Sequence, residues 1–384
     1  MSRRWVLGAF EAAARRIPSQ QQRSFTCTAL RHASITHFTP TSSPVLDGLL
    51  NEIRTKIILP FYLPESQRKR LFAPKWRTRL EKDPVIIEID GEVLKFGYHS
   101  PGHVPSARKS LLQAVAQFDT AEDFANLKPL IAGLHYARRR IEPPVWAKVL
   151  RLAGIKGRIY NIIDCARSVR DTGYRLDTSE KVNEILHFVQ MKARDADWDE
   201  AETRQALRWA AMVFEMVHDK AHQPKLYGKE TPVPGERPLY LDPMVVAAPL
   251  HLAAVLAVQH PAADKSILDK VRKLARAVVA FWPEGQKLKE VYPAELYKDY
   301  NKMGYLSIPS KFVALATPLL HGLETAIKVV DPELAGQLQA RRDLLAAEIK
   351  EARDTLVEEI EWERETGVST WRRGEDVYKS FYAP

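Results

Sequence analysis

The most chemically distinctive residues form a basic segment that is interleaved with aromatic side chains. Residues 54–79 hold eight lysines and arginines, and Glu65 is the single acid among them. A short, strongly basic segment favours contact with phosphate, because each neutralised phosphate releases counterions. A solvated surface segment is the alternative interpretation. The predicted RNA-contacting residues are Arg54, Lys56, Arg68, Lys69, Arg70, Lys75, Trp76, Arg77 and Arg79.

The charge of the remaining chain makes this segment stand out. Residues 1–80 carry 14 lysines and arginines against 4 acids, a balance of +10, whereas the whole chain has a net charge of +9. Everything after residue 80 is therefore nearly neutral. Such an asymmetry predicts an electrostatic contact at one end of the protein rather than a generally basic surface.

Few other residues have a spacing suited to chemistry. The sequence contains no glycine-rich phosphate loop, dinucleotide fingerprint or nucleophile elbow. His218 and His222 lie four residues apart, a metal-binding spacing, but no third ligand can be named and a solvated helix end is the simpler interpretation. We therefore predict a non-enzymatic chain with no catalytic residue, metal site, cofactor or small-molecule substrate.

Short elements are expected around the basic segment. Pro60, Pro64 and Pro74 interrupt it, so we expect no long helix there and a location on the surface. Two apolar runs then flank Asp90-Gly91, which favours a tight hairpin turn because glycine accepts positive φ. A lone hairpin is only marginally stable, so it must pack on something.

From Ser106 onward the sequence is helical. Apolar residues recur at helical spacing in successive segments of mostly 12 to 20 residues, and short breaks separate them. Such segments are expected to pair antiparallel, as in an α-solenoid. The Pro143-Pro144 helix start and the Leu176-Asp177-Thr178 helix start are about 35 residues apart, which indicates a weak internal repeat.

Around this repeat the chain resembles the pentatricopeptide repeat family, whose units are two helices closed by a short glycine-containing connector. Gly173-Tyr174-Arg175-Leu176-Asp177 stands where that connector would fall, and the resemblance covers roughly residues 108–219. It implies a helical scaffold that contacts RNA or protein. The sequence departs from the family in having no regularly spaced Asn, Asp, Ser or Thr pairs of the kind that read single bases.

The C-terminal half contains a second helical group and one long helix. A segment rich in proline and glycine, residues 220–240, separates the two groups. That separation favours two helical layers, and the alternative is one continuous solenoid with a long loop. Asp331 and Pro332 are the expected cap and first residue of the final helix, which would reach about 50 Å at 1.5 Å per residue.

The long helix carries an apolar stripe. The apolar residues of the stripe recur at intervals of 11 positions. Because 11 residues make three helical turns, the stripe runs nearly straight along one face of the helix. We predict that the stripe docks on a partner, and the alternative is a helix folded back on its own body. The predicted partner-binding residues are Leu334, Leu338, Leu345, Ile349, Leu356 and Ile360.

The N-terminus is typical of a mitochondrial presequence. The first 46 residues contain six arginines, no lysine and the single acid Glu11, and residues 1–17 can form a helix with apolar and basic sides. Arg23-Ser24-Phe25 resembles a matrix-protease cleavage site, so we expect the mature chain to start near Thr26. The alternative is a basic arm that binds nucleic acid in place.

The fold class predicted from these patterns is mostly α, with α-solenoid-like antiparallel helix pairs, one small β-hairpin and a long C-terminal helix. The predicted organisation is a presequence (1–33), a basic extension (34–84), a hairpin (85–98), a repeat region (104–222), a linker (223–242), a second helical group (243–330), the long helix (331–366) and a basic aromatic tail (367–384).

This architecture resembles that of fungal-type mitochondrial ribosomal or ribosome-associated proteins, which join a compact body to basic extensions. The resemblance implies a matrix protein of mitochondrial gene expression, with ribosomal RNA and mitochondrial ribosomal proteins as partners and no membrane span. The alternative hypothesis is a matrix helical scaffold that acts as a respiratory-complex assembly factor or an mRNA-specific expression factor.

Overall fold

The structure, a computed structural model, describes residues 35–224, 233–260, 265–299, 302–366 and 373–382. The predicted presequence, residues 1–33, lies outside the described residues. Helices make up most of the described chain, with one two-stranded sheet, so the predicted fold class is confirmed.

The first half of the chain begins with short helices around the hairpin and continues as longer helix pairs. Its elements are α1 (Pro44–Ile53), α2 (Glu65–Leu71), α3 (Arg77–Lys82), β1 (Val85–Ile89), β2 (Glu92–Phe96), α4 (Ala107–Gln117), α5 (Ala121–Ala125), α6 (Leu127–Tyr136), α7 (Pro143–Ile155), α8 (Ile159–Arg167), α9 (Val169–Thr172), α10 (Ser179–Asp195) and α11 (Glu200–His218). A π-helical turn, Arg54–Ile58, and the 3₁₀ turns Leu59–Tyr62 and Pro74–Trp76 lie among the first of these.

The described residues of the second half form four long helices and two short ones. They are α12 (Pro243–Gln259), α13 (Lys265–Phe281), α14 (Ala294–Lys298), α15 (Pro309–Ile327), α16 (Pro332–Thr366) and α17 (Arg373–Tyr382). The predicted cap of the long helix is confirmed, since the Leu334 amide donates to Asp331 Oδ1 at 3.0 Å and Pro332 is the first helical residue.

One apolar core joins the two helical groups. The buried cluster runs from Leu46 in α1 to Leu356 in α16, and α11 packs directly on α12. Within the described residues, the two helical groups therefore share one buried core. Gly173 ends α9 at φ +67°, in the connector that the repeat resemblance indicated.

The hairpin forms as predicted. Strands β1 and β2 pair antiparallel, and the turn residues Asp90 and Gly91 have φ values of +50° and +81°, as a tight primed turn requires. Leu94 and Phe96 point inward and meet Leu71 of α2 in a small second core. Packing against the short helices thus provides the support that an isolated hairpin lacks.

The basic extension is more deeply integrated than its prolines suggested. Ile53, Ile57 and Ile58 are fully buried in the main core. The prediction that this stretch lies on the surface is therefore wrong for its apolar face, because the π-helical turn continues α1 and keeps these side chains directed inward. Only the polar face of the stretch remains available for a partner.

Hydrogen bonds attach the N-terminal arm, residues 35–42, to α5 and to Asn126, which follows it. The Thr39 amide donates to Asn126 Oδ1 at 2.8 Å, and Asn126 Nδ2 donates to the Thr39 carbonyl at 3.0 Å. The Ser42 amide and hydroxyl each donate to a carboxylate oxygen of Asp123 at 2.8 Å. These buried partners fix the arm beside α1 and so position the basic stretch that follows.

Candidate RNA-binding surface

Trp76 lies at the centre of the predicted basic residues. It ends the 3₁₀ turn between α2 and α3, and its ring is half-buried against the small core. The guanidinium groups of Arg70 and Arg79 lie over this ring, with their Cζ atoms 4.7 and 5.3 Å from its centroid. The ring therefore holds two cations from different helices side by side without neutralising them.

Other cations surround this pair. Lys69 and Arg77 pair with Glu65 and Glu81 at one helical turn, at 2.7 and 3.0 Å, but their side chains remain 74% and 66% exposed. Exposed pairs of this kind contribute little free energy, so both cations can exchange their partner for a phosphate. We use the term basic surface for Arg68, Lys69, Arg70, Lys75, Trp76, Arg77 and Arg79.

Arg54 does not belong to this surface. Its side chain is only 15% exposed, its Nε donates to the Thr36 carbonyl at 2.7 Å, and a terminal nitrogen donates to Glu92 at 2.7 Å. Its guanidinium therefore already has partners in the N-terminal arm and in β2, which favours a structural role for Arg54, and its contact with RNA stays a prediction. Lys56 pairs with Glu52 at 2.7 Å beside it and is also partly buried.

Three consecutive arginines that the sequence reasoning missed lie next to the basic surface. Arg138, Arg139 and Arg140 follow α6 and are all exposed. Arg139 and Arg68 both lie over the ring of Phe61, at 5.5 and 4.2 Å from its centroid. The run of three arginines was a visible signal, but nothing in the sequence placed it beside residues that precede it by about 70 positions.

Arg138 has an unusual backbone conformation. Its φ is +53°, and the Arg139 amide donates to the Leu134 carbonyl at 2.9 Å, which closes the end of α6 as a Schellman motif. Glycine adopts this left-handed position freely, whereas another residue there costs on the order of 1 kcal/mol. The other non-glycine residues with positive φ in the described ranges are Asp90, Asp197 and Trp198.

The apolar stripe of α16 lies inside the chain. Leu338 and Leu345 are 0% exposed, Ile349 is 1% exposed, and Leu334 and Leu356 are also buried. Helix α16 packs on α15 and α13, so the prediction that these five residues dock on a partner is wrong. Sequence periodicity identified a buried face but not the surface that covers it. The side chain of Ile360 lies outside the described residues.

The two histidines at metal-binding spacing have other partners. His222 Nδ1 accepts the Leu176 amide at 3.1 Å, while the His218 ring stacks on Tyr240 with 4.5 Å between centroids. No group of three or more metal-ligating side chains occurs in the described part of the chain. The His222 ring therefore holds the connector before α10, and the His218 ring packs on the turn before α12.

A buried polar cluster links α10 of the first half to α12 and α15 of the second half. His251 Nδ1 lies 2.8 Å from Gln190 Oε1, and His251 Nε2 lies 2.9 Å from His321 Nδ1. Burial lowers the pKa of His321 to about 4, so this ring is neutral at physiological pH. His321 lies on α15, and its ring stacks on the ring of Trp198. We assign this cluster a structural role because His251 is fully buried.

Within the described ranges, no helix is both long and apolar enough to cross a bilayer.

Comparison with known proteins identifies the family. Residues 23–379 match the family model of mitochondrial ribosomal protein mS27. The small ribosomal subunit protein mS27 of Neurospora crassa is 32% identical over 339 residues, which cover 84% of this chain and 85% of that protein. These matches confirm the prediction of a structural component of the mitochondrial ribosome and do not favour an assembly or mRNA-specific factor. The chain belongs to the mS27 family of mitochondrial ribosomal proteins.

Proposed function

We propose that this chain is a non-catalytic constituent of the small subunit of the mitochondrial ribosome, where its basic surface contacts ribosomal RNA. The observation that carries the proposal is the arrangement at Trp76, where Arg70 and Arg79 share one aromatic ring. Neither arginine has a salt bridge to an acid among the described residues. The surface therefore presents fixed positive charge that an external anion can neutralise.

The chemistry of this surface favours the RNA backbone over the bases. Guanidinium and ammonium groups bind phosphate, and guanidinium can do so through two parallel hydrogen bonds. The described repeat helices offer no regular set of polar pairs for one-base-per-repeat recognition. We therefore expect binding that depends strongly on salt and weakly on RNA sequence.

The test replaces the six cations Arg68, Lys69, Arg70, Lys75, Arg77 and Arg79 with glutamine in the full chain. We expect the variant to leave the small subunit in sucrose gradients at lower salt than the parent chain does. We define the salt slope as the steepness with which the logarithm of the RNA affinity falls as the logarithm of the salt concentration rises. This log-log salt slope should become shallower by about 0.7 to 0.9 for each phosphate that the variant no longer neutralises.

A charge-matched control removes six exposed cations elsewhere on the molecule. These are Lys109, Lys148, Lys270, Lys273, Arg276 and Lys298. The control should retain subunit association and most of the parent salt slope. If the basic-surface variant associates as the parent does at physiological salt, the proposed RNA contact is wrong.

The mitochondrial matrix is the proposed location. Support comes from the arginine-rich N-terminus and from the family match, which begins at residue 23, close to the predicted cleavage site. Mass spectrometry of the native chain should show an N-terminus between about residue 26 and residue 34. An intact Met1 on the protein from sedimented ribosomes would contradict the presequence.

A further inference from the structure

The loop after α6 continues the basic surface. Arg139 stacks on the face of Phe61 together with Arg68, and Tyr136 at the end of α6 stacks on Tyr62 with 4.5 Å between centroids. These contacts lock the end of α6 against the 3₁₀ turn that precedes α2. The loop and the basic surface are therefore neighbours in the fold, although they lie far apart in sequence.

Electrostatics supports the same arrangement. The pKa of Glu65 is lowered, chiefly by its hydrogen bond and ion pair with Lys69 and further by the charges of Arg68 and Arg138. Arg138 thus lies close enough for its field to reach the basic surface. In the part of the chain that the structure describes, no acid forms a salt bridge with Arg138, Arg139 or Arg140. Their charge is left for an external anion.

The backbone of Arg138 points to a role for its side chain. A glycine would close the Schellman motif without a steric cost, yet an exposed arginine occupies the left-handed position. Asp90 is a residue type that tolerates this conformation, and Trp198 gains a stacking contact with His321. Among the described residues, no ring stacking or ion pair of the Arg138 side chain offsets the cost of this backbone conformation.

We propose that Arg138, Arg139 and Arg140 form a second wall of the RNA-binding site, so that phosphates of one RNA segment contact both this loop and the basic surface. The inference rests on the proposed function and deepens it. The ligand is a phosphodiester backbone, because exposed guanidinium groups carry the loop and no base-reading constellation accompanies them.

The test combines three changes in the full chain: Arg138→Gly, Arg139→Gln and Arg140→Gln. The glycine keeps the loop conformation, so the variant should fold as the parent does. The charge-matched control carries Lys270→Gln, Lys273→Gln and Arg276→Gln on the exposed face of α13, which packs on α12 and α16 instead. The probe is a transcript of the small-subunit mitochondrial ribosomal RNA.

We expect the loop variant to lower the log-log salt slope of RNA binding by about 2 to 3, at 0.7 to 0.9 for each of three phosphates. The control should change the slope by less than about 0.7, the value for a single phosphate. The single variant Arg138→Gly should melt no lower than the parent while its slope falls by about 0.7 to 0.9. Together these results would establish that the loop charge, and not its conformation, binds the RNA.

Several results would overturn the inference. If the basic-surface variant loses RNA and the loop variant does not, the loop lies outside the site while the proposed function survives. If neither variant weakens RNA binding, the proposed function fails as well. If loop and control variants weaken binding equally, only the net charge matters. If the loop variant keeps its RNA but releases an acidic ribosomal protein from the subunit, the loop binds protein instead.

Discussion

Leu345 provides the sharpest test of how the long helix is packed. Its side chain is fully buried, and α16 packs on α15 and α13. Leu345→Ala removes three carbon atoms, which costs about 2.4 kcal/mol of transfer free energy at about 0.8 kcal/mol for each. The cavity that remains adds to this cost. We therefore expect the free energy of unfolding of the isolated chain to fall by about 3 to 5 kcal/mol.

Urea titration of the isolated full chain, followed by far-ultraviolet circular dichroism, measures this change. The matched control is Lys350→Ala, an exposed position on the same helix, which should stay within about 0.5 kcal/mol of the parent. If Leu345→Ala were as stable as the control and instead failed to associate with the ribosome, the stripe would face a partner. That result would refute the packing of α16 on α15 and α13.

Three further predictions follow from single side chains. A Cβ on Gly374 would lie 2.9 Å from the Ser310 Cα atom, so Gly374→Ala should loosen α17 and speed its hydrogen exchange, whereas the exposed Asp376→Ala should not. Burial raises the pKa of Asp242 to about 6, so the folded chain binds this proton more readily than the unfolded chain does. The free energy of unfolding should therefore rise as the pH falls from about 6 towards 4. Asp242→Asn should flatten this rise. Arg54→Gln should lower stability by breaking the links to Thr36 and Glu92, yet leave the salt slope of RNA binding unchanged; a lower slope would return Arg54 to the RNA site.

Local signals in the sequence predicted the local structure well. Asp90-Gly91 specified the turn of the hairpin, and Asp331-Pro332 specified the start of α16, because each depends on residues within a few positions. Helical periodicity likewise predicted helices with one buried face. These features need no knowledge of where distant segments lie.

Contacts between distant segments could not be predicted in this way. Arg54 and Arg79 are the same residue type in one basic stretch, but only Arg54 meets Glu92, 38 positions away. Its role as a link depends on the fold placing β2 beside the π-helical turn that follows α1. The same limit applies to the stripe of α16, whose periodicity is equally compatible with its own core and with a partner.

RNA–protein cross-linking in intact small subunits purified from mitochondria would decide whether this chain touches ribosomal RNA where we propose. Mass spectrometry would map the RNA adducts onto peptides of this chain. We predict adducts on the basic surface, around residues 68–79, and on the loop at residues 138–140, with none on the exposed face of α13. Adducts confined to α13 or to other faces, with both predicted peptides recovered unmodified, would contradict the proposed RNA site.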